Sequence, residues 1–383
     1  TTRTRGSASG DPPPLVVVMS KSMNVFLGVA VGCVVGAVAM ATLQRSKQVP
    51  NVEEVAEVEA AFDRREKLID GKVVSKTITD ELKAKVEDMR ADHDCVPGLA
   101  VVLVGERPDS AQYVRMKKEK VAEIGFHSVD LNLPDTISQE ELIAEVKKLN
   151  ADPMIHGILV QLPLPEGIDT NEVLKAIAVE KDADGFHALN VGNMWLSGGD
   201  PPLAVACTPA GCIELLQRYD ITVSGKNCVV LGRSNIVGMP ICALLQSMNG
   251  TVTCCHSRTK DTAEKCRNAD IIIAAVGKAE YVRGDWIKPG AVVIDVGINR
   301  VENKDPKEKT KSGKMKKYVM KGDVNFDECA PKCSYITPVP GGVGPMTIAM
   351  LCKNTYNLAL HSLGQPREPL RKSPSHVNIS ARS

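Results

Sequence analysis

Aromatic residues are scarce in this sequence: Phe, Trp and Tyr together make up 3% of its 383 residues. That removes the stacking surfaces on which single-stranded nucleic acid is usually held. An excess of one charge is missing as well. The formal net charge is +1, so no global field draws nucleic acid or an acidic partner. Twelve cysteines are too sparse for a disulfide scaffold. Cys228, Cys242, Cys254 and Cys255 fall in apolar stretches, where free thiols behave as small hydrophobes. Cys329 and Cys333 lie four apart without a partnering His or Cys at zinc spacing, so no metal site is expected. Internal repeats are absent beyond an alternation of strands and helices. A reducing compartment and two α/β domains with sizeable cores are the expectation.

What is present centres on Lys226–Gly238, KNCVVLGRSNIVG. The apolar run Cys228–Leu231 has the length of a buried parallel strand. It enters Gly232-Arg233-Ser234, and a helix opens at Val237-Gly238-Met239-Pro240 and runs through Leu245. Strand, glycine turn and helix present backbone N–H groups to a phosphate. The spacing is G-x-S-x-x-x-G rather than G-x-G-x-x-G, so two readings stand: a nucleotide cradle, or a βα turn whose glycines permit close packing. Strands at Thr251–Cys255, Ile271–Val276 and Val292–Val296, with helices between, predict a parallel, doubly wound sheet with right-handed crossovers. In such folds an acid at the end of the second strand binds the ribose 2′-OH of NAD. Here that position reads Cys255-His256-Ser257-Arg258-Thr259, with no acid. Together with Arg233, this favours NADP over NAD.

Residues 1–50 read as a segment outside the folded enzyme. Asn24–Leu43 holds 20 residues without a charge, long enough to span a bilayer. Gly28, Gly32 and Gly36 form a helix-association face, and Ala39-Met40-Ala41 suits a signal-peptidase site. One acid against five Lys or Arg in the first 50 residues suits an organellar presequence. Asn51–Lys67 reads as a charged helix or spacer. A helix over Val74–Asp92 and a strand over Pro97–Val104 then lead to the turn Gly105–Asp109. On the following helix Ser110, Tyr113 and Lys117 share one face. A Tyr and a Lys one turn apart at the mouth of a βα loop can stack on a flat substrate and move a proton. The same pair also suits an ordinary surface.

A strand at Val129–Leu133, a helix at Ser138–Asn150 and a strand at Gly157–Gln161 make another βαβ unit, ending in Leu162-Pro163-Leu164-Pro165. Gln161 therefore sits at the carboxyl end of a parallel strand, where open sheets hold ligands. A helix over Asn171–Val179 leads to the turn Lys181–Phe186, whose carboxylates Asp182 and Asp184 also suit plain turn chemistry. Thr208–Tyr219 is a predicted helix with Pro209 near its first turn. Val301–Lys321, rich in Lys, reads as an exposed loop. Ile336–Thr347, ITPVPGGVGPMT, reads as a turn before an apolar helix, Ile348–Leu360, and suits close approach to a ligand. Gly364–Ser383 reads as a disordered tail that ends without a peroxisomal signal.

YVRMKK, GILVQLPLP, EKDADGF, CTPAGC, VVLGRSNIVGMP, CHSRT, VIDVGINR, GDV and ITPVPGGVGPMT, in this order over Leu68–Leu360, resemble the bifunctional methylenetetrahydrofolate dehydrogenase/cyclohydrolase family. The resemblance implies a two-domain α/β fold: an N-terminal βα folate-binding catalytic domain and a Rossmann-type NAD(P)-binding domain, with the C-terminal helix returning to the first. The implied boundaries are 51–206 with helix 340–363 for the catalytic domain, 207–337 for the nucleotide domain, and a tail at 364–383. It implies oxidation of 5,10-methylenetetrahydrofolate to the 5,10-methenyl cation, then hydrolysis to 10-formyltetrahydrofolate. Lys117 would shuttle protons if burial and a hydrogen bond from Gln161 lower its pKa.

Tyr113 would stack on the folate and Asp184 would hold the pterin's amino edge. Val160, Leu162 and the loop Pro340, Gly341, Gly342, Val343 and Gly344 would complete the folate pocket. Gly232 and Ser234 would contact the cofactor backbone, Arg233 and Ser257 the 2′-phosphate, and Ile298 the nicotinamide end. Arg258 resembles the basic position with which some mitochondrial members use NAD together with phosphate and Mg²⁺. Their longer insert near that strand is absent, so NADP is expected, with NAD possible. Members without cyclohydrolase activity lack the lysine; this chain keeps it. The membrane-length N-terminal segment lies outside the family pattern and leaves a mitochondrial, other organellar or cytoplasmic location open. Family members are usually homodimers. The competing readings are an NAD-dependent dehydrogenase without cyclohydrolase activity and a membrane-tethered, non-catalytic relative.

Overall fold

A computed structural model of the chain describes residues 66–196, 199–303, 317–368 and 370, and for 108–112 the backbone alone. The readings for 1–65, including the apolar segment 24–43, fall outside these residues. Among the described residues no helix is long and apolar enough to cross a membrane.

The first half comprises α1 (Gly71–His93), β1 (Gly98–Val104), α2 (Pro108–Ile124), β2 (His127–Leu133), α3 (Gln139–Ala151), β3 (Gly157–Val160), α4 (Thr170–Ala176) and α5 (Ala188–Trp195). Its three strands are parallel in the order β2-β1-β3. All of β3 and all but one residue of β1 are buried, as a parallel sheet covered on both faces requires. The edge strand β2 instead alternates between exposed and half-buried residues. On α1 the buried residues Val74, Ile78, Leu82, Val86 and Met89 form one apolar stripe. Helix α3 starts with a capping box, in which Ser138 and Glu141 each accept the other's backbone N–H. Helix α4 ends short of the predicted Val179. The Asn150 side chain donates to Ala176 O and accepts from Ala178 N, replacing the next helical turn.

The second half runs α6 (Cys207–Arg218), β4 (Asn227–Leu231), α7 (Gly238–Ser247), β5 (Thr251–Cys255), α8 (Thr262–Arg267), β6 (Ile271–Ala274), β7 (Val292–Asp295), β8 (Asn299–Glu302), β9 (Tyr318–Lys321), α9 (Phe326–Cys329), β10 (Tyr335–Ile336) and α10 (Val343–Ser362). Five parallel strands lie in the order β10-β7-β6-β4-β5. Two corrections apply here. The stretch read as an exposed loop begins and ends in an antiparallel ribbon, with Val301 opposite Val319 in β8 and β9. The Arg300 guanidinium stacks 4.1 Å from the Tyr318 ring centroid, so cross-strand contact shapes the ribbon where local hydropathy is silent. The tail also stays packed beyond Gly364. Arg367 donates to Pro201 O and Pro202 O, and Glu368 and Asn357 exchange hydrogen bonds.

The halves are joined twice. Before entering α1, the chain adds to the open edge of the second sheet: Ile69 N donates to Ile336 O, and Ile336 N to Lys67 O. Helix α10, buried over most of its length, returns to pack on α1, α6, β1 and β3. An ion network fastens the three helices. Glu214, fully buried on α6, pairs with Arg218 on the same helix and Lys353 on α10, while Arg218 reaches Glu81 on α1.

Candidate active site

The first sheet changes direction at β1, with β2 on one side and β3 on the other, and open α/β sheets bind ligands at the carboxyl ends beside such a switch. Gln161 leaves β3 at that end, its N–H bonded to Val102 O. Lys117 reaches it from α2. Lys117 is 8% exposed, and its Nζ donates to Gln161 Oε1 at 3.0 Å. The direction differs from the expected one. The amide hydrogens of Gln161 are engaged with Leu162 O at 2.9 Å, so its carbonyl, not its N–H, meets the lysine. Tyr113, one turn earlier on α2, is 40% exposed. The side chain of Ser110 lies outside the described residues.

The two carboxylates of the 181–186 turn separate by role. Asp182 is buried and accepts from Phe186 N, His187 N and Asn190 Nδ2, which is turn chemistry. Asp184 is only partly enclosed by surface yet densely surrounded by protein. Burial pushes its carboxyl up to about 6, against the nearby Lys117 charge, which pulls it down. Cys207 opens α6 and directs Sγ at Asp184 Oδ1, 3.9 Å away. Burial holds that thiol well above its ordinary range, so it stands as a neutral donor. Asn354 of α10 donates to Ala183 O and Val205 O, clamping the two segments that carry Asp184 and Cys207. Sequence reasoning missed both residues; the one available signal for Asn354 is an amide inside an apolar helix. Val160 is 1% exposed with its side chain in the core, while Leu162 is half-buried. In the loop before α10, Pro340 and Gly341 precede Gly342, whose N–H bonds Pro338 O, and Val343 is buried. A Cβ on Gly344 would sit 3.8 Å from Ile298 Cδ1, so the loop expected at the folate adjoins the residue expected at the nicotinamide.

The second sheet switches direction between β4 and β6, and the glycine turn lies there. Gly232 has φ +109°, and a Cβ on it would fall 2.1 Å from Ala275 O; one on Gly238 would fall 2.1 Å from Gly232 O. Only glycine permits a turn drawn this tightly against the next strand's loop. Arg233 and Ser234 are exposed above it, and Val237 caps the amino end of α7. Ser257 and Arg258 are exposed after β5, on a loop shaped by His256 N donating to Thr259 Oγ1 and Arg258 N donating to His256 Nδ1. No acid stands between Cys255 and Lys260. A tight glycine turn, a helix amino end and two flanking arginines fit a dinucleotide carrying an extra phosphate. Among the described residues, no group of three His, Cys, Asp or Glu could hold a metal ion.

Comparison with known proteins agrees with both halves of the fold. Residues 69–184 match the family model for the tetrahydrofolate dehydrogenase/cyclohydrolase catalytic domain, and 206–363 match the model for the NAD(P)-binding domain of the same family. The chain is 53% identical over 292 residues to the chloroplastic bifunctional protein FolD 4 of Arabidopsis thaliana, covering 76% of this chain and 79% of that one. It is also 53% identical over 292 residues to bifunctional protein FolD of Prosthecochloris aestuarii, covering 75% and 96%. Among solved structures, the Trypanosoma brucei N5,N10-methylenetetrahydrofolate dehydrogenase-cyclohydrolase (FolD), complexed with NADP cofactor and inhibitor, is similar at TM-score 0.72 and 42% identity, covering 77% of this chain and 98% of that one. The FolD enzyme of Campylobacter jejuni gives TM-score 0.70 and 44% identity, covering 77% and 99%. With two parallel sheets and sequence identity running through both, the chain belongs to the tetrahydrofolate dehydrogenase/cyclohydrolase family.

Proposed function

We propose that Lys117 handles the protons of a two-step conversion: oxidation of 5,10-methylenetetrahydrofolate with NADP, then hydrolysis of the 5,10-methenyl product to 10-formyltetrahydrofolate. The chain is a bifunctional dehydrogenase and cyclohydrolase. One observation carries the assignment of roles: from four separate segments, Lys117 donates to Gln161, its charge acts on the Asp184 carboxyl, and Cys207 directs its thiol at Asp184.

NADP, when bound, supplies the acceptor for the hydride that leaves the methylene carbon. The protein's own contribution to that step is alignment, since the Gly344 loop and Ile298 adjoin. Arg233 and Ser257 would hold the 2′-phosphate, with Arg258 beside Ser257 on the same loop, and Gly232 and Ser234 would hold the cofactor backbone. In the second step Lys117 takes a proton from the water that adds to the methenyl carbon. A proton returns to N5 as the C–N5 bond opens, and one proton is released overall. Gln161 fixes Nζ, the Asp184 carboxylate accepts from the pterin's amino edge, and Tyr113 stacks on the ring. Leu162, the backbone of Val160 and the loop 340–344 line the folate. We assign 51–206 with helix 340–363 to the catalytic domain, 207–337 to the nucleotide domain, and a homodimer as the working assembly. Residues 1–50 are assigned to organellar delivery, mitochondrial or other, or to membrane attachment; the chloroplastic relative supports an organelle. Microscopy of tagged protein with and without those residues tests that assignment.

Lys117→Met tests the chemistry. Breakdown of the methenyl absorbance should stop while folate affinity stays within a few-fold. Normal methenyl breakdown in this variant would remove Lys117 from the role.

A further inference from the structure

Apart from Ile298, the GDV and VIDVGINR motifs stand in the nucleotide half without a role in either step, and the structure ties them together through one carboxylate. Asp323 has no exposed surface, yet it accepts four hydrogen bonds. Its Oδ2 takes Val276 N at 2.6 Å and Gly277 N at 2.9 Å; its Oδ1 takes Lys278 N at 2.9 Å and Asn299 Nδ2 at 2.8 Å. Three consecutive backbone N–H groups at the carboxyl end of β6 thus point into one side chain from a different loop. That explains why β6 stops at Ala274 rather than at the predicted Val276. Asp323 is held in turn by its own N–H, which donates to Asp295 Oδ1; Asp295 also accepts from Gly297 N and Val324 N. The glycines of the motifs make room for this lattice. A Cβ on Gly297 would fall 2.3 Å from Asp323 Oδ1, and one on Gly322 would fall 1.8 Å from Asp295 Oδ2.

Both segments that Asp323 holds border the cofactor site. Residue 275, directly before the first, lies against Gly232, and Ile298, directly before Asn299, adjoins Gly344. We propose that Asp323 is a positioning residue for the dinucleotide half of the reaction: it sets the 276–278 and 297–299 walls of the cofactor site and acts on hydride transfer, not on hydrolysis. This rests on the two-step reading above, and the two activities serve as each other's control.

The test uses the full chain and two variants. Asp323→Asn keeps the shape but must turn an NH₂ toward one of the two donor pairs, leaving buried N–H groups facing one another in either orientation. Asn299→Ala removes one donor group, with its bonds to Asp323 Oδ1 and Lys321 O, and leaves the β6 loop bonded. Three quantities are measured: NADPH affinity by its fluorescence, NADP KM and kcat for the dehydrogenase, and methenyl hydrolysis without any dinucleotide. Asp323→Asn should weaken NADPH binding and raise NADP KM about tenfold or more, and Asn299→Ala about threefold. Hydrolysis should stay within about twofold of the parent in both. Unchanged NADPH affinity in both variants overturns the proposal. So does a parallel fall in hydrolysis and dehydrogenation in Asn299→Ala, because that marks a general structural role. A parent protein with neither activity would defeat the two-step reading instead, and NADPH affinity would still decide the role of Asp323.

Discussion

Asp184 gives the most direct quantitative test of the proposed site, because both carboxyl oxygens are free to accept from the pterin's amino edge, its proposed partner, only when the group is ionised, and burial opposes that ionisation. Its carboxyl is pushed from 3.8 to about 6, with the Lys117 charge working in the other direction. The pH dependence of kcat/KM reports groups of the free enzyme. With a value of about 6, roughly nine-tenths of the molecules carry the carboxylate at pH 7 and about one-tenth at pH 5. Dehydrogenase kcat/KM for the folate should therefore fall about tenfold between those values, with the loss residing in KM. An ordinary Asp would lose less than about a tenth of its charge over the same range. The assay is initial NADPH formation at folate concentrations well below KM, from pH 5 to 8, on the parent and on Asp184→Asn. A parent profile flat between pH 5 and 7, or the same inflection surviving in Asp184→Asn, would refute the reasoning. The sign for stability runs the other way. A raised acid stabilises the fold below its unfolded value of 3.8, and that contribution is lost as pH rises through about 6. Asp184→Asn should therefore melt above the parent at pH 7, as expected where a site keeps a strained charge for function.

Two further predictions concern separate parts of the molecule. Arg233→Ala should raise the NADP KM about tenfold or more, and the NAD KM far less, since only NADP carries the phosphate that Arg233 is assigned to hold. Equal effects on both cofactors, measured by steady-state kinetics, would show the cofactor assignment to be wrong. Glu214→Gln should cost about 3 kcal/mol, because it leaves Lys353 and the buried Arg218 without their shared carboxylate. An unchanged melting temperature by differential scanning calorimetry would contradict that network's importance.

Strands β4, β6 and β7 of the second sheet were legible because each is a short apolar run, almost all of it buried, a pattern that needs no knowledge of partners. CVVL before Gly232 is the clearest case, and the tight approach of Ala275 shows why glycine follows it. The elements that escaped, β8, β9 and the two-residue β10, are defined by hydrogen bonds to distant segments, and their own side chains carry little pattern. The candidate site divides the same way. The family resemblance paired Lys117 with Gln161; local pattern alone put one at a helix mouth and the other at a strand end, and it left the Tyr113 and Lys117 pair equally suited to a plain surface. The direction of their hydrogen bond was not legible, since it depends on Leu162 O claiming the amide hydrogens first. Nothing in Lys181–Gly185 says which aspartate serves the turn; Asn190 and Cys207, both outside that stretch, divide the labour. Asp323 was visible only as part of a three-residue motif, because all of its partners lie more than 20 residues away.

The return of α10 to the first sheet has a consequence for how the protein is made. Synthesis normally lets the leading domain finish folding while the rest is still being translated. Here the leading half waits for helix Val343–Ser362, which packs on β1, β3 and α1. A nascent chain paused before that helix would hold much of its nucleotide sheet but would show a bare apolar flank on its folate side. Ribosome-bound chaperones therefore have a defined patch to guard, and it stays open until that helix has been translated.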